Sequence, residues 1–123
     1  MELRTLGLIN GQWVSARSGR RFAVTNPATG ETIAEVANMG ADDTLAAVAA
    51  AHEALPAWRA VTSKERSARL KKWNDLILAN ADALAALMTA EQGKPLAEAK
   101  GEVLYGASFV EWLPRKPSVF TVM

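Results

Sequence analysis

The chain alternates between short apolar runs and polar turns for its first third, then changes to apolar positions spaced at helical intervals. Leu8-Ile9-Asn10-Gly11-Gln12-Trp13-Val14 sets Asn-Gly between two such runs. That dipeptide tolerates positive φ at both central positions of a two-residue turn, so a type I′ hairpin is predicted. After a polar turn over 15–20, Arg21-Phe22-Ala23-Val24-Thr25 and Glu31-Thr32-Ile33-Ala34-Glu35-Val36 flank Asn26-Pro27-Ala28-Thr29-Gly30. Pro27 fixes φ and Gly30 gives a permissive exit, which predicts a second hairpin. Ile33 and Val36 fall out of phase with strict alternation, so the pleat of that last strand is left open.

From Asn38-Met39-Gly40 onward the period becomes helical. Ala41-Asp42-Asp43 opens the first helix with acids in its first turn, where they oppose the helix dipole. Leu45, Val48, Ala49, His52 and Leu55 share one face, Pro56 is expected to end the helix, and Trp58 to pack over that end. Thr62 with Glu65 reads as a capping box. The helix behind it is expected to bury Leu70, Trp73 and Ile77, with Arg66, Arg69 and Lys72 outward. Asn80-Ala81-Asp82 restarts a helix carrying Ala83, Leu84, Leu87 and Met88. Gln92-Gly93-Lys94-Pro95 is a stop followed by a start, with Gly for a left-handed exit and Pro for a first turn. A fourth helix is predicted over 96–112, where Ala99, Val103, Gly106, Ala107 and Val110 make a small-residue packing face. The pattern then breaks. Leu113-Pro114-Arg115-Lys116-Pro117-Ser118-Val119-Phe120-Thr121-Val122-Met123 has two prolines within a few positions and no helical period.

Composition narrows the function classes. With 123 residues there is room for one small domain, and with no cysteine there is no disulfide, thiolate metal site or cysteine nucleophile in the chain. A net charge of +1 with no basic stripe gives no sign of nucleic-acid binding. Without an apolar run behind Met1-Glu2-Leu3-Arg4-Thr5, and without a long apolar stretch elsewhere, neither a leader nor a membrane span is expected. A soluble cytoplasmic protein is the expectation. His52 stands alone among alanines and reads as a packing or surface residue. The glycines read as turn glycines, not a phosphate cradle, and Ser15, Ser18 and Ser63 have no local base. Asp42-Asp43 and the i,i+4 pair Glu98/Glu102 are acids at helical positions, the second flanked by Lys94 and Lys100. Lys71-Lys72 reads as an exposed helix edge. Residue pattern alone gives an α+β domain, with no residue assigned a catalytic or cofactor-binding role.

As a string the chain says more. Ile9-Asn10-Gly11-Gln12-Trp13-Val14, the run from Val24 to Ile33, and Pro56-Ala57-Trp58-Arg59 resemble the opening of the aldehyde dehydrogenase superfamily. The block from Leu87 to Ala99, with Gly101-Glu102-Val103 and Ala107-Ser108-Phe109-Val110-Glu111-Trp112, is similar to the bacterial succinate-semialdehyde dehydrogenase branch, much of which glutarate-semialdehyde enzymes share. The resemblance implies an α/β parent fold of which residues 1–112 are the N-terminal part of the cofactor-binding domain: two β-hairpins followed by about four α-helices. It implies NAD(P)-dependent oxidation of succinate semialdehyde, or a similar semialdehyde, to the acid, in an enzyme expected to be a homo-oligomer. In the family a cysteine thiolate attacks the aldehyde, an asparagine and a backbone N–H hold the oxyanion, and hydride passes to nicotinamide. A glutamate-activated water then hydrolyses the thioester. Those residues lie beyond the matched stretch, so the chain alone is expected to be inactive and to hold NAD or NADP poorly. Two positions carry over: a structural monovalent cation is held in relatives by a backbone carbonyl matching Thr25 and an acid matching Glu91, where many relatives have Asp.

The break after Trp112 fits the same resemblance. In this branch Glu-Trp is typically followed by a segment such as FAEEAKRVYGD. Deleting one base from the first codon of a suitable coding sequence for that segment yields the string from Leu113 to Met123. Residues 113–123 therefore read as a frameshifted, non-native tail. The competing reading is a free-standing helical module that binds a full-length paralogue; a cooperative melt of the isolated chain would favour it.

Overall fold

The structure is a computed structural model and describes residues 3–115, with side chains up to Trp112. Beyond a backbone helix assignment for 113–115, the segment expected to be a frameshifted tail lies outside the described residues. The chain divides into two compact units, one up to Ala60 and one from Val61.

In the first unit, β1 (Gly7–Ile9) pairs antiparallel with β2 (Gln12–Val14). Asn10 and Gly11 turn at φ 50° and 73°, the two positive angles a type I′ turn needs. The expected second hairpin joins β3 (Arg21–Thr25) to β4 (Thr32–Ala37). Its turn closes on Asn26, whose carbonyl accepts from Gly30 N–H at 2.8 Å and whose Oδ1 accepts from Ala28 N–H at 2.9 Å. The register explains the phase of β4. Val24 opposes Ala34 and Thr25 opposes Thr32, so Ile33 is the extra residue of a bulge. Ala37 N–H donates to the Thr5 carbonyl at 2.9 Å and ties the second hairpin to the segment leading into the first, while Asn38 N–H donates to the Arg20 carbonyl, also at 2.9 Å, and extends the β3–β4 ladder by one pair. Met39 lies against Gly7, where a Cβ would come within 2.7 Å of its Cε.

Helix α1 (Ala41–Ala60) begins where its acids predict and does not stop at Pro56. Proline has a helical φ and removes one bond, the one its N–H would have made to the His52 carbonyl, so the helix carries on to Ala60. Trp58 is therefore a residue of the last turn and does not cap an end.

The second unit is three helices: α2 (Ser63–Ala79), α3 (Ala81–Gln92) and α4 (Leu96–Arg115), with both α2 and α3 packed on α4. The capping box forms in full. Glu65 N–H donates to Thr62 Oγ1 at 3.3 Å, and the Glu65 carboxylate accepts from Thr62 N–H at 3.1 Å and Thr62 Oγ1 at 2.7 Å. These bonds from Thr62 hold the Glu65 carboxyl below its ordinary pKa. A lowered folded-state pKa means the stabilisation is complete above the ordinary glutamate range and is lost as pH falls through the lowered value. Glu65→Gln keeps an acceptor without a titrating proton. Urea midpoints followed from neutral to acid pH should therefore show the advantage of wild type over Glu65→Gln shrinking only at the acid end; a constant difference would contradict it.

Asn80 ends α2 and precedes α3, but its side chain donates back to the Leu76 carbonyl at 2.8 Å, finishing the first helix instead of capping the second. Gly93 gives the expected left-handed exit at φ 76°, and the Pro95 carbonyl accepts from Ala99 N–H to start α4. Helix α4 runs past Trp112 to Arg115, where a break after Trp112 is expected from the sequence. Pro114 stands in the last turn and again costs one bond, that to the Val110 carbonyl.

The buried side chains are small. Ala81, Ala85, Ala99 and Ala107 are buried in this unit and Ala16 in the first, and among the described residues no large side chain is fully enclosed. Ala99, Val103, Ala107 and Val110 form the expected inner face of α4, whereas Gly106 is exposed with open space over it. On α2 the inner face is turned from expectation: Asn74 is buried beside half-buried Leu70 and Ile77, and Trp73 is 55% exposed. The spacing 70, 74, 77 is as helical as 70, 73, 77; side-chain size alone favoured the tryptophan.

Candidate functional site

Thr25 ends β3 at the bulge and is exposed; Glu91 lies in the last turn of α3 and is exposed. They belong to different compact units. Among the described residues there is no group of three or more His, Cys, Asp or Glu side chains arranged to hold a metal ion. His52 is an exposed residue of α1, on an open groove with Leu55, Pro56 and Arg59.

The other acids resolve into structural roles. Lys94 Nζ meets Glu102 Oε1 at 2.5 Å and Lys100 Nζ meets Asp82 Oδ1 at 2.6 Å, pairs that tie α4 to the segment before it and to α3. Lys71 pairs with Asp75 one turn on. Of the pair at the start of α1, Asp42 is exposed, but Asp43 is 5% exposed. Its Oδ2 accepts from Gly40 N–H at 2.9 Å and its Oδ1 from Arg17 N–H at 3.2 Å, with Arg17 Nε at 3.8 Å. One carboxylate thus closes the N-terminus of α1 and holds the loop between the hairpins. The available signal was Gly40 three residues ahead of Asp43, the spacing at which a first-turn acid reaches back to the N-cap N–H. Two buried oxygens, Asn74 Oδ1 and Thr89 Oγ1, have no hydrogen-bond partner.

A dinucleotide needs a cradle of backbone N–H groups at a strand–glycine loop–helix junction. The left-handed glycines here are Gly11, Gly19 and Gly30 in turns and Gly93 at a helix end. The described residues do not fit a nicotinamide dinucleotide by themselves, and no chemical step through one follows from them.

The family model described as the aldehyde dehydrogenase family matches residues 13–119. The chain belongs to the aldehyde dehydrogenase family. Similar members include glutarate-semialdehyde dehydrogenase of Pseudomonas putida, 59% identical over 89% of this chain and 23% of the relative. Succinate-semialdehyde dehydrogenase [NADP(+)] of Escherichia coli is 57% identical over the same shares. Among solved structures, an E. coli NADP-dependent enzyme superposes with a TM-score of 0.89 at 55% identity, over 92% of this chain and 24% of that one. PnpE in complex with nicotinamide adenine dinucleotide gives 0.88 at 31% identity, over 93% and 24%. The chain therefore spans about a quarter of the length of the dehydrogenases it matches. The two hairpins and four helices expected from sequence are the architecture observed.

Proposed function

We propose that this chain is the N-terminal part of an NAD(P)-dependent semialdehyde dehydrogenase. The parent reaction is oxidation of succinate semialdehyde, or a close homologue such as glutarate semialdehyde, to the acid. The supporting observation is the 57–59% identity to succinate- and glutarate-semialdehyde dehydrogenases over nearly the whole chain, joined to coverage of only 23% of those enzymes. The residues here build scaffold, not chemistry: with no cysteine in the sequence there is no thiolate to form the thiohemiacetal, and the chain alone turns over no aldehyde. In the complete enzyme the Thr25 carbonyl and the Glu91 carboxylate contribute to a structural monovalent cation site. Residues 113–123 are a frameshifted replacement for the parent's continuation.

A chimera tests the reading. Residues 1–112 replace the matched segment of the E. coli succinate-semialdehyde dehydrogenase, and NADP-linked oxidation of succinate semialdehyde is assayed. An active chimera is expected, with no detectable turnover by the 123-residue chain. An inactive, insoluble chimera, or turnover by the chain alone, would overturn it. For the tail, the gene beyond the Trp112 codon should resume a cysteine-bearing dehydrogenase domain in another frame.

A further inference from the structure

We propose that Asn10-Gly11, at the tip of the first hairpin, is a site of spontaneous covalent modification, where the asparagine side chain cyclises onto its own backbone and reopens mainly as isoaspartate. The reaction needs a side-chain amide, an unhindered nitrogen in the next residue, and freedom for the backbone between them to rotate. Of Asn10, Asn26, Asn38, Asn74 and Asn80, only the first combines all three. Asn26 precedes Pro27, whose nitrogen carries no hydrogen, and its Oδ1 already accepts from Ala28 N–H. Asn74 is buried inside α2, where the Asp75 nitrogen is engaged in the helix ladder. The Asn80 amide donates to the Leu76 carbonyl. Asn38 is half-buried and precedes Met39, whose side chain is packed on Gly7. Asn10 and Gly11 are both exposed, and beyond the chain neighbours no atom lies within 4 Å of where a Gly11 Cβ would stand. They are the central residues of the turn, outside the ladder that ends at the pair Ile9 and Gln12, so the Gly11 nitrogen is not held in it.

The hairpin itself supplies the rotation. Strands β1 and β2 are three residues each and form a two-stranded sheet. Such a ribbon is marginally stable, so its tip opens locally without unfolding the unit, and glycine puts no Cβ in the way. Asn10 then leaves its φ of 50° and brings its Cγ to the next nitrogen. The Gly11 nitrogen attacks Asn10 Cγ; the N–Cγ bond forms as Cγ–Nδ2 breaks, and ammonia leaves with the Gly11 proton. Water then opens the five-membered imide, with nothing oxidised or reduced. Cleavage at Cγ gives aspartate, whereas cleavage at the Asn10 main-chain carbonyl carbon gives isoaspartate, with the chain routed through Cβ and Cγ. Isoaspartate adds a main-chain carbon and a negative charge to a turn whose two central residues must match the twist of the strands. The pairs Ile9–Gln12 and Leu8–Trp13 separate, and Trp13 leaves the Arg4 guanidinium that lies 5.4 Å from its ring centre. Ageing therefore releases the first hairpin, once and irreversibly.

The full 123-residue chain is held in heavy-oxygen water at mildly alkaline pH and returned to ordinary water for digestion. Its peptides are mapped by mass, with the two isomers separated by elution. The expected product is a peptide spanning 10–11 that carries the heavy oxygen, with isoaspartate exceeding aspartate and the other asparagines intact. Hydrogen-exchange protection over 7–14 should fall in step with isoaspartate, while that of the Arg17 and Gly40 amides is kept. Asn10→Gly leaves a Gly-Gly turn without the side-chain amide and should keep its protection through the same incubation. Freshly prepared Asn10→Asp adds the charge without the extra carbon and should match fresh wild type. Asn10 intact while another asparagine converts, or conversion of Asn10 only after unfolding in urea, would overturn the site. Conversion with protection over 7–14 unchanged would overturn the release of the hairpin.

Discussion

Replacing Asp43 with alanine is expected to destabilise the first unit by about 2–3 kcal/mol, because it leaves backbone donors without an acceptor at a buried position. The carboxylate serves Gly40 N–H with one oxygen and Arg17 N–H with the other. No water-exposed substitute is at hand, since the side chain is only 5% exposed. The two bonds have different work. The first satisfies a donor at the N-terminus of α1 and complements its dipole. The second fixes the loop between β2 and β3 against the helix. Asp43→Asn should cost less, about 1–2 kcal/mol, because one amide oxygen can still accept while its NH2 faces the other N–H. Asp42→Ala, on an exposed neighbour, should stay within about 0.5 kcal/mol. Urea unfolding of the chain, followed through the hydrogen-exchange protection of the Arg17 and Gly40 amides, separates the three. Equal midpoints for the Asp42 and Asp43 alanine variants would show that the buried carboxylate is not holding the unit.

How much of this could be read from the sequence depends on whether a feature is local. The turn at Asn10-Gly11, the capping box at Thr62 and Glu65, and the stop at Gly93 are all set by residues within four positions of one another, and all are present. The phase slip at Ile33 was visible but unassigned, because a bulge is defined by the opposing strand and a single strand does not reveal it. Proline is a weaker stop than its lost bond suggests: at Pro56 the helix accepts one missing bond and continues to Ala60. The least legible feature was which apolar residues are inside. Trp73 outranks Asn74 in hydrophobicity, yet Asn74 is buried. Likewise Leu45, Val48 and Leu55 lie on the exposed side of α1, while half-buried Ala46, Ala47 and Ala50 line its inner side. The rule that large apolar residues go to the core assumes that the core is in the same polypeptide segment. In a segment matching a quarter of its relatives' length, large side chains turned outward are what that assumption misses. The candidate cation residues show the same limit: Thr25 and Glu91 are placed by family likeness, since neither spacing nor residue type relates a strand end to a helix end more than sixty positions away.

The second large effect is on α4, where two substitutions that each add side-chain volume should have opposite signs. Ala99 is completely buried, and so is Ala85 on the neighbouring α3. Close approach of helices at such positions depends on the methyl group being the largest thing there. Ala99→Leu forces three further carbons into that space and is expected to cost about 1–3 kcal/mol, with separation of the helices seen as increased binding of a hydrophobic dye. Gly106 lies on the same helix, seven residues on, with nothing within 4 Å of an added Cβ. Gly106→Ala should therefore stabilise by about 0.5–1 kcal/mol, since it removes backbone freedom from the unfolded chain and meets no neighbour. The pair discriminates between two accounts of the alanine-rich composition. If the alanines serve only as helix formers, Leu at 99 is nearly neutral, because the two residues differ little in helix propensity. If they are spacers that let α2 and α3 close on α4, only the buried position penalises added volume. Thermal melts of the two variants beside wild type decide it, and a neutral Ala99→Leu would remove the spacer account.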